Sequence, residues 1–352
     1  MTKYILKKLF YGFWVIFGVL IIVFFIFNVL PGDPVEMMVG QRSDVATREA
    51  IQKELGLDKP LGVQLGYYLN DFSFVSIHEN TPENKEKYKY IKLLKTGKSV
   101  IVLKKPYFRR SFQTNKKVDE IILDHIEGTV WLAVSAMIFA TVLGILFGIL
   151  SALKPNSPLD YSLSVVSILG ISVPSFVAAI LMSWVFAVLL AEYTHLEVTG
   201  SLWETDSFGE GRHLALKNLI LPMITLGLRP LAIIVQLTRG AMLEVMSQDY
   251  IRTAKAKGLR FYKIVMKHAL KNALNPVITA VSGWLASLLA GSFFVEMIFN
   301  WKGLGLVTIN AVMSLDFPVV MGCTVFIAIV FVITNIVVDI LYALVDPRIK
   351  IE

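Results

Sequence analysis

Long apolar runs, rather than short alternations, organise this chain. Six of them, at about 9–30, 130–153, 163–190, 219–237, 277–295 and 319–338, are hydrophobic on every helical face. A helix rises ~1.5 Å per residue, so roughly 20 apolar residues cross the ~30 Å hydrocarbon layer of a bilayer. Five of the runs hold no Lys, Arg, Asp or Glu, and the fourth is interrupted by Arg229, followed by Pro230. Helices of soluble proteins bury a stripe and leave the other face polar. The pattern therefore predicts an all-α polytopic membrane protein with six transmembrane helices. Lys3, Lys7 and Lys8 precede the first run as in a secretory leader. Its length exceeds the ~7–15 apolar residues of a leader, and 28–34 lacks a small-residue cleavage pattern, so it reads as an uncleaved helix.

The polar stretches set the orientation. The N-terminus carries three lysines, and segment 239–276 holds eight basic residues against Glu244 and Asp249. The loop between the third and fourth runs has five acids and two bases. Six spans put both termini, the 154–162 turn and the 239–276 loop on one side, and the bias of Lys and Arg makes that side cytoplasmic. Residues 31–128 then form an extracytoplasmic region with 16 basic and 14 acidic residues. Within it, 46–55 with Gly56 after it predicts a short helix with a glycine stop. The lysine-rich stretch 79–98 predicts an exposed insertion or mobile loop. Three parts follow: an N-terminal helix over 1–30, the extracytoplasmic region over 31–128, and a five-helix core over 129–352.

Composition sharpens this. Of 352 residues, 55% are hydrophobic and 17% charged, against about 25% charged in an ordinary soluble domain. So few charges would not coat two globular surfaces. The net charge of +7 lies mainly in the 239–276 loop, which excludes a nucleic-acid patch as its origin. The single cysteine, Cys323, excludes an intramolecular disulfide framework and a multi-cysteine metal site. No cofactor or metal is expected.

Catalytic signatures are absent from the sequence. Gly97-Lys98-Ser99 matches the tail of a phosphate-binding loop, but Lys92 stands where the first glycine belongs. Gly144 and Gly148 in the second run match the small-residue motif for close helix packing. The 248–276 loop is more informative. It predicts a helix over about 249–257, a turn at Gly258 able to take positive φ, then a second helix. Phe261, Ile264, Val265 and His268, at i, i+3, i+4 and i+7, would share one face of that helix. An amphipathic helical hairpin between two spans fits either anionic lipid headgroups or a docking partner.

The loop also resembles the EAA loop of binding-protein-dependent ABC importer permeases. Ala254 and Gly258 match the general pattern. The Ala256-Lys-Gly-Leu259 and His268-Ala-Leu-Lys-Asn-Ala-Leu-Asn-Pro276 segments are similar to the dipeptide/oligopeptide/nickel branch. Leu30-Pro-Gly-Asp-Pro34, Phe299-Asn-Trp-Lys-Gly-Leu-Gly305, Asp316-Phe-Pro318 and Val338-Asp-Ile-Leu-Tyr-Ala-Leu-Val-Asp-Pro-Arg348 extend the likeness. Only about 73–118 looks like an insertion. The resemblance implies a type I ABC importer permease fold and half of a translocation pathway for di- or oligopeptides. Nickel or another small solute is the alternative cargo. It implies as partners a second permease subunit, cytoplasmic ABC ATPase subunits and an extracytoplasmic substrate-binding protein, in the bilayer of a bacterial inner membrane. It assigns ATPase coupling to Ala254, Gly258, Leu259, Phe261, Ile264, Val265 and His268, whose apolar groups would fill a cleft on the ATPase. A polytopic membrane enzyme or a scaffold is the competing class, without paired acids or a Ser–His pair in the spans to support it.

Three residues are candidates for the pathway. Arg229 either faces water and attracts a peptide carboxylate, or pairs with a carbonyl or polar side chain near a helix break at Pro230. Pro174 and Pro222 free backbone carbonyls within helices and are expected at bends along the pathway.

Overall fold

A computed structural model describes residues 2–29, 52, 58–97, 99–205 and 211–345. The short helix expected over 46–55, apart from Gln52, the Pro-Gly-Asp-Pro turn and the final Asp-Pro-Arg lie outside these residues. Five helices are long and apolar enough to span a membrane, and a bent pair makes six if counted as one span. The chain divides into two compact units, one of Met1–Leu6, His125–Leu306 and Ile333–Glu352, the other of Lys7–Asp124 and Val307–Val332.

The second unit contains most of α1 (Thr2–Val29) and the first half of the last helix, together with the whole 61–117 region. After α2 (Leu61–Phe72), the chain forms β1 (Val75–Glu79), α3 (Pro82–Tyr88), β2 (Ile91–Thr96) and β3 (Ser99–Leu103). The strands make an antiparallel sheet in the order β1-β3-β2. The fold remains mainly helical as expected, and the stretch 79–98, expected as an exposed insertion or mobile loop, is an insertion with its own helix and strands. Thr81 caps α3 through its hydroxyl, which accepts from the Asn84 N–H at 3.2 Å, and Pro82 supplies a preset first turn. Strand alternation buries Ser76, His78, Val100 and Val102, a period of two that the many lysines obscure in the sequence.

Behind that sheet face, Asp71 gathers the polar groups. It accepts from Arg109 Nε at 3.1 Å and from the Tyr88 hydroxyl at 2.9 Å, while Lys104 Nζ donates to its backbone carbonyl. Burial lowers the Lys104 pKa to about 8, with Asp71 opposing the shift. Farther along, the Ser111 hydroxyl donates to Asp316 at 2.5 Å and the Phe112 N–H at 3.0 Å. This gives Asp316-Phe-Pro318 a role: it fastens the 105–117 segment.

The first unit is the helical core. It comprises α4 (Val118–Leu153) from residue 125, α5 (Pro158–Ser172), α6 (Ser175–Met182) with a π-helical continuation Ser183–Leu189, and α7 (Ala191–Thr194). A hairpin of β4 (Trp203–Thr205) and β5 (Arg212–Leu214) precedes α8 (Leu216–Met246). The loop helix α9 (Asp249–Ala256) follows. Then α10 (Phe261–Lys263) runs through a π segment Ile264–Ala269 into α11 (Leu270–Gly291), with α12 (Phe293–Ile298) beyond it. In the other unit, α13 (Leu304–Met313) lies mostly beyond the boundary, as does the start of α14 (Phe317–Val345).

The third run bends at Pro174, where a bend was expected: α5 and the α6 segment meet at 112°. Val173 is extended and Pro174 begins the next helix, because a proline excludes helical backbone from the residue before it. Conversely, no break occurs at Pro230. Both Pro222 and Pro230 lie inside continuous α8, where dense packing holds the helix despite two missing N–H donors.

That packing rests on glycines. A Cβ on Gly144 would stand 2.6 Å from Ile234 Cγ2, and one on Gly148 2.8 Å from the Val235 carbonyl. The motif thus serves close approach of α4 to α8, as expected. On α5, a Cβ on Gly170 would stand 3.3 Å from the Ala232 Cβ of α8.

Candidate functional site

The 247–271 loop leaves α8 through Ser247 and an extended Gln248. Asp249 in the first turn of α9 and Lys255 in its last complement the helix dipole. Gly258 then takes φ +73°, its N–H donating to the Lys255 carbonyl at 2.9 Å. Space around it is open, so the need for glycine is conformational: a side chain in this left-handed region costs about 1–2 kcal/mol. Arg260 is extended and restarts the helix at Phe261. Across the hairpin, the Asn272 amide donates to the Tyr250 hydroxyl at 2.8 Å, bracing α9 against α11.

The hairpin packs onto its own bundle. Ile251 and Ala254 of α9, and Ile264, Val265 and Ala269 of the π segment, are buried with Ala152 of α4, Met242 of α8 and Ala273. The structure therefore separates the residues that helical periodicity grouped together. Ile264, 1% exposed, and Val265 face inward with Ala254 and cannot fill a cleft on another protein. Phe261 is 55% exposed, beside exposed Tyr262 and Met266, whereas Leu259 and His268 are half-buried. The cause is the π turn, in which Leu270 donates to Val265, five residues back. Its extra residue moves the buried stripe from Ile264 to Ala269 instead of His268. The outward surface thus consists of Phe261, Tyr262 and Met266 among exposed Arg252, Lys255, Lys257, Arg260, Lys263 and Lys267.

The pathway candidates also part company. Pro174 is exposed at the bend, but Pro222 is buried in the bundle, which removes it as a lining residue. Arg229 is exposed, and among the described residues no hydrogen bond or ion pair engages it, so the expected pairing near Pro230 does not form.

In the helical core, two buried carboxylates that no sequence motif marks are held by donors from distant elements. Asp160 in the first turn of α5 receives Arg239 Nε at 2.6 Å and Nη2 at 2.7 Å. Glu296, fully buried, accepts from the Thr129 hydroxyl at 2.9 Å, the Ser292 hydroxyl at 2.5 Å and the Leu306 N–H at 3.0 Å. Burial raises its pKa, and these donors oppose the rise. A Cβ on Gly303 would run into the Glu296 carboxylate, and one on Gly305 would stand 2.8 Å from the Phe293 Cα and 2.9 Å from Glu296 Oε2. Trp301, buried, donates Nε1–H to the Gly128 carbonyl at 2.9 Å. The 299–305 motif is thus a structural knot. A single acid inside the apolar 293–298 segment was the available signal for it.

Comparison with known proteins follows the same outline. Residues 144–351 match the family model described as binding-protein-dependent transport system inner membrane component, and residues 1–82 match its N-terminal counterpart. The dipeptide transport system permease protein DppB of Bacillus subtilis is 34% identical, with 100% of this chain and 99% of that one aligned. DppB of Escherichia coli is 34% identical over 99% of both chains, and the oligopeptide permease AppB of B. subtilis 32% over 99% and 100%. Among solved structures, the inward-facing MetNI methionine ABC transporter superposes with a TM-score of 0.52 at 18% identity. That match covers 64% of this chain and 97% of the other, a likeness of fold.

Proposed function

The chain belongs to the inner membrane components of binding-protein-dependent transport systems, and on that premise we propose that it carries di- or oligopeptides as one permease of an ATP-driven importer. Peptide cargo is supported by the names of relatives aligned end to end. A second permease chain completes the pathway, separate ATPase subunits supply the energy, and an extracytoplasmic binding protein delivers the peptide. The chain itself has no phosphate-binding motif to hydrolyse ATP. The charge of the 239–276 loop supports termini and loop on the cytoplasmic side.

The observation that carries this reading is the loop hairpin: one face fused to the bundle, the other offering Phe261, Tyr262 and Met266 within a cationic rim. Such a rigid projection suits a subunit that must be pushed. Phe261 and Tyr262 dock on the ATPase, and Ala254, Ile264 and Val265 anchor the hairpin from behind. Gly258 permits the turn between its helices, with Leu259 and His268 at its edges. Phe261→Asp should abolish recovery of ATPase with the permease and abolish peptide uptake, with the chain still reaching the membrane. Normal recruitment and uptake in this variant would end the assignment.

Arg229 belongs to the pathway on the same reading. A charge facing lipid mid-span costs at least about 2.5–3.5 kcal/mol, so its exposure, unpaired among the described residues, fits a water-filled face between permeases. There it attracts the peptide carboxylate. Arg229→Gln should lower uptake of peptides with a free C-terminus more than of their amidated forms. Equal effects on both would remove the carboxylate role.

A further inference from the structure

Asp160 is 2% exposed and lies where three helices meet. Its carboxylate takes a two-pronged contact from Arg239 of α8, at 2.6 and 2.7 Å, and a hydrogen bond from the Ser151 hydroxyl of α4. The Asn156 N–H, in the turn between α4 and α5, donates at 2.9 Å. The Ser157 hydroxyl caps the helix by accepting from the Asp160 N–H at 3.3 Å. A fork-on-carboxylate pair fixes both distance and orientation; removing Arg239 strands the buried Asp160 carboxylate, whereas Arg239, with 30% of its side chain exposed, still reaches water. The first turn of α5 therefore moves with α8 and α4.

The node adjoins the anchored side of the loop. Met242 follows Arg239 by one helical turn, and Ala152 follows Ser151 directly. Both belong to the cluster that buries Ile251, Ala254, Ile264 and Val265. At the far end of α5 stands the 112° bend at Val173–Pro174. A continuous solid path thus runs from the loop through Met242 and Ala152 to Arg239 and Ser151, then across Asp160 into α5.

We propose that the Asp160–Arg239 pair is the positioning joint that passes displacement of the 249–271 loop to α5 and its bend, converting ATP use into opening of the pathway. This rests on the coupling role proposed for the loop. An inert brace would hold the helices equally well, so the two differ in what fails when the pair is weakened. A brace loses assembly. A joint keeps assembly and loses the link between hydrolysis and transport.

The test uses the whole transporter in proteoliposomes, with its partner permease, ATPase subunits and binding protein. Complex yield, basal ATP hydrolysis and labelled peptide imported per ATP are measured for Asp160→Asn, Arg239→Gln, Arg239→Lys and Ser151→Ala. In Asp160→Asn, yield and basal hydrolysis should stay near wild type with import per ATP down about tenfold; in Arg239→Gln, import per ATP should fall as far in the complex that does assemble, and Arg239→Lys should recover part of it. If Asp160→Asn does not assemble, the milder Ser151→Ala decides, with a smaller fall expected. Unchanged import per ATP in the assembled variants overturns the proposal, as does a loss of import that only tracks loss of complex. Phe261→Asp is run alongside. If that variant recruits ATPase and transports normally, the loop reading fails; if it does not, and Asp160→Asn stays coupled, the joint alone fails.

Discussion

Replacing Glu296 separates the parts of its knot. Its Oε1 accepts two hydroxyls, from Thr129 and Ser292, and its Oε2 accepts the Leu306 N–H. Thr129 Oγ1 in turn accepts the Leu304 N–H at 2.8 Å. In Glu296→Ala the hydroxyls can rotate toward other acceptors, but the half-buried Leu306 N–H cannot, and leaving such a donor without a partner costs about 1–3 kcal/mol. The void left by the side chain adds to that, for a total of about 3 kcal/mol. Glu296→Gln should cost only about 1 kcal/mol, because the amide oxygen still meets Leu306 and the hydroxyls can turn to accept from the amide nitrogen. Hydrogen exchange at the Leu306 and Leu304 amides in the purified transporter reads this locally. At ~1.4 kcal/mol per tenfold, exchange should accelerate about 100-fold in the alanine variant and about fivefold in the glutamine variant. Burial raises the Glu296 pKa, so the wild-type side chain gains its proton on acidification and its difference from glutamine should shrink as pH falls. Equal acceleration by Ala and Gln, or none with Ala, would refute the account of Glu296 as the acceptor that holds 304–306.

Other predictions follow from the same geometry. Gly148→Leu should prevent accumulation of folded chain, since even a Cβ at this position approaches the Val235 carbonyl to 2.8 Å; membrane yield on a blot checks it, and wild-type yield would contradict the packing. Ile264→Ala should destabilise the hairpin by about 2–5 kcal/mol, as large-to-small core changes do, whereas Phe261→Ala should leave its protease resistance unchanged; equal sensitivity would place both residues on one face after all. Lys104, with its pKa lowered to about 8 from 10.5, is protonated in both folded and unfolded states below about 8. Between these values only the unfolded chain holds the proton, so the sheet should gain stability as pH rises from 8 to 10.5. Exchange at Val100 and Val102, compared with Lys104→Met, should show a wild-type deficit that narrows over that window and is constant below it.

Sequence and structure divide the molecule along a physical line. The sequence alone determined the spans, because a bilayer requires some twenty consecutive apolar residues and that demand is written locally. It determined the hairpin at Gly258 for a similar reason, since positive φ is a property of one residue. The close packing of Gly144 and Gly148 was legible too, but not its target, Ile234 to Thr238 of α8. What only the tertiary structure decided depends on residues distant in the chain or on departures from regular period. The π turn at Ile264–Ala269 divides the loop's apolar residues between anchor and surface, which a 3.6-residue periodicity cannot anticipate. Asp160 and Glu296 look like stray acids until Arg239, 79 residues from Asp160, and Thr129, 167 from Glu296, arrive beside them. Burying such charges is tolerable only where folding assembles donors around them, so their partners are recorded in the packing and not in the neighbouring sequence.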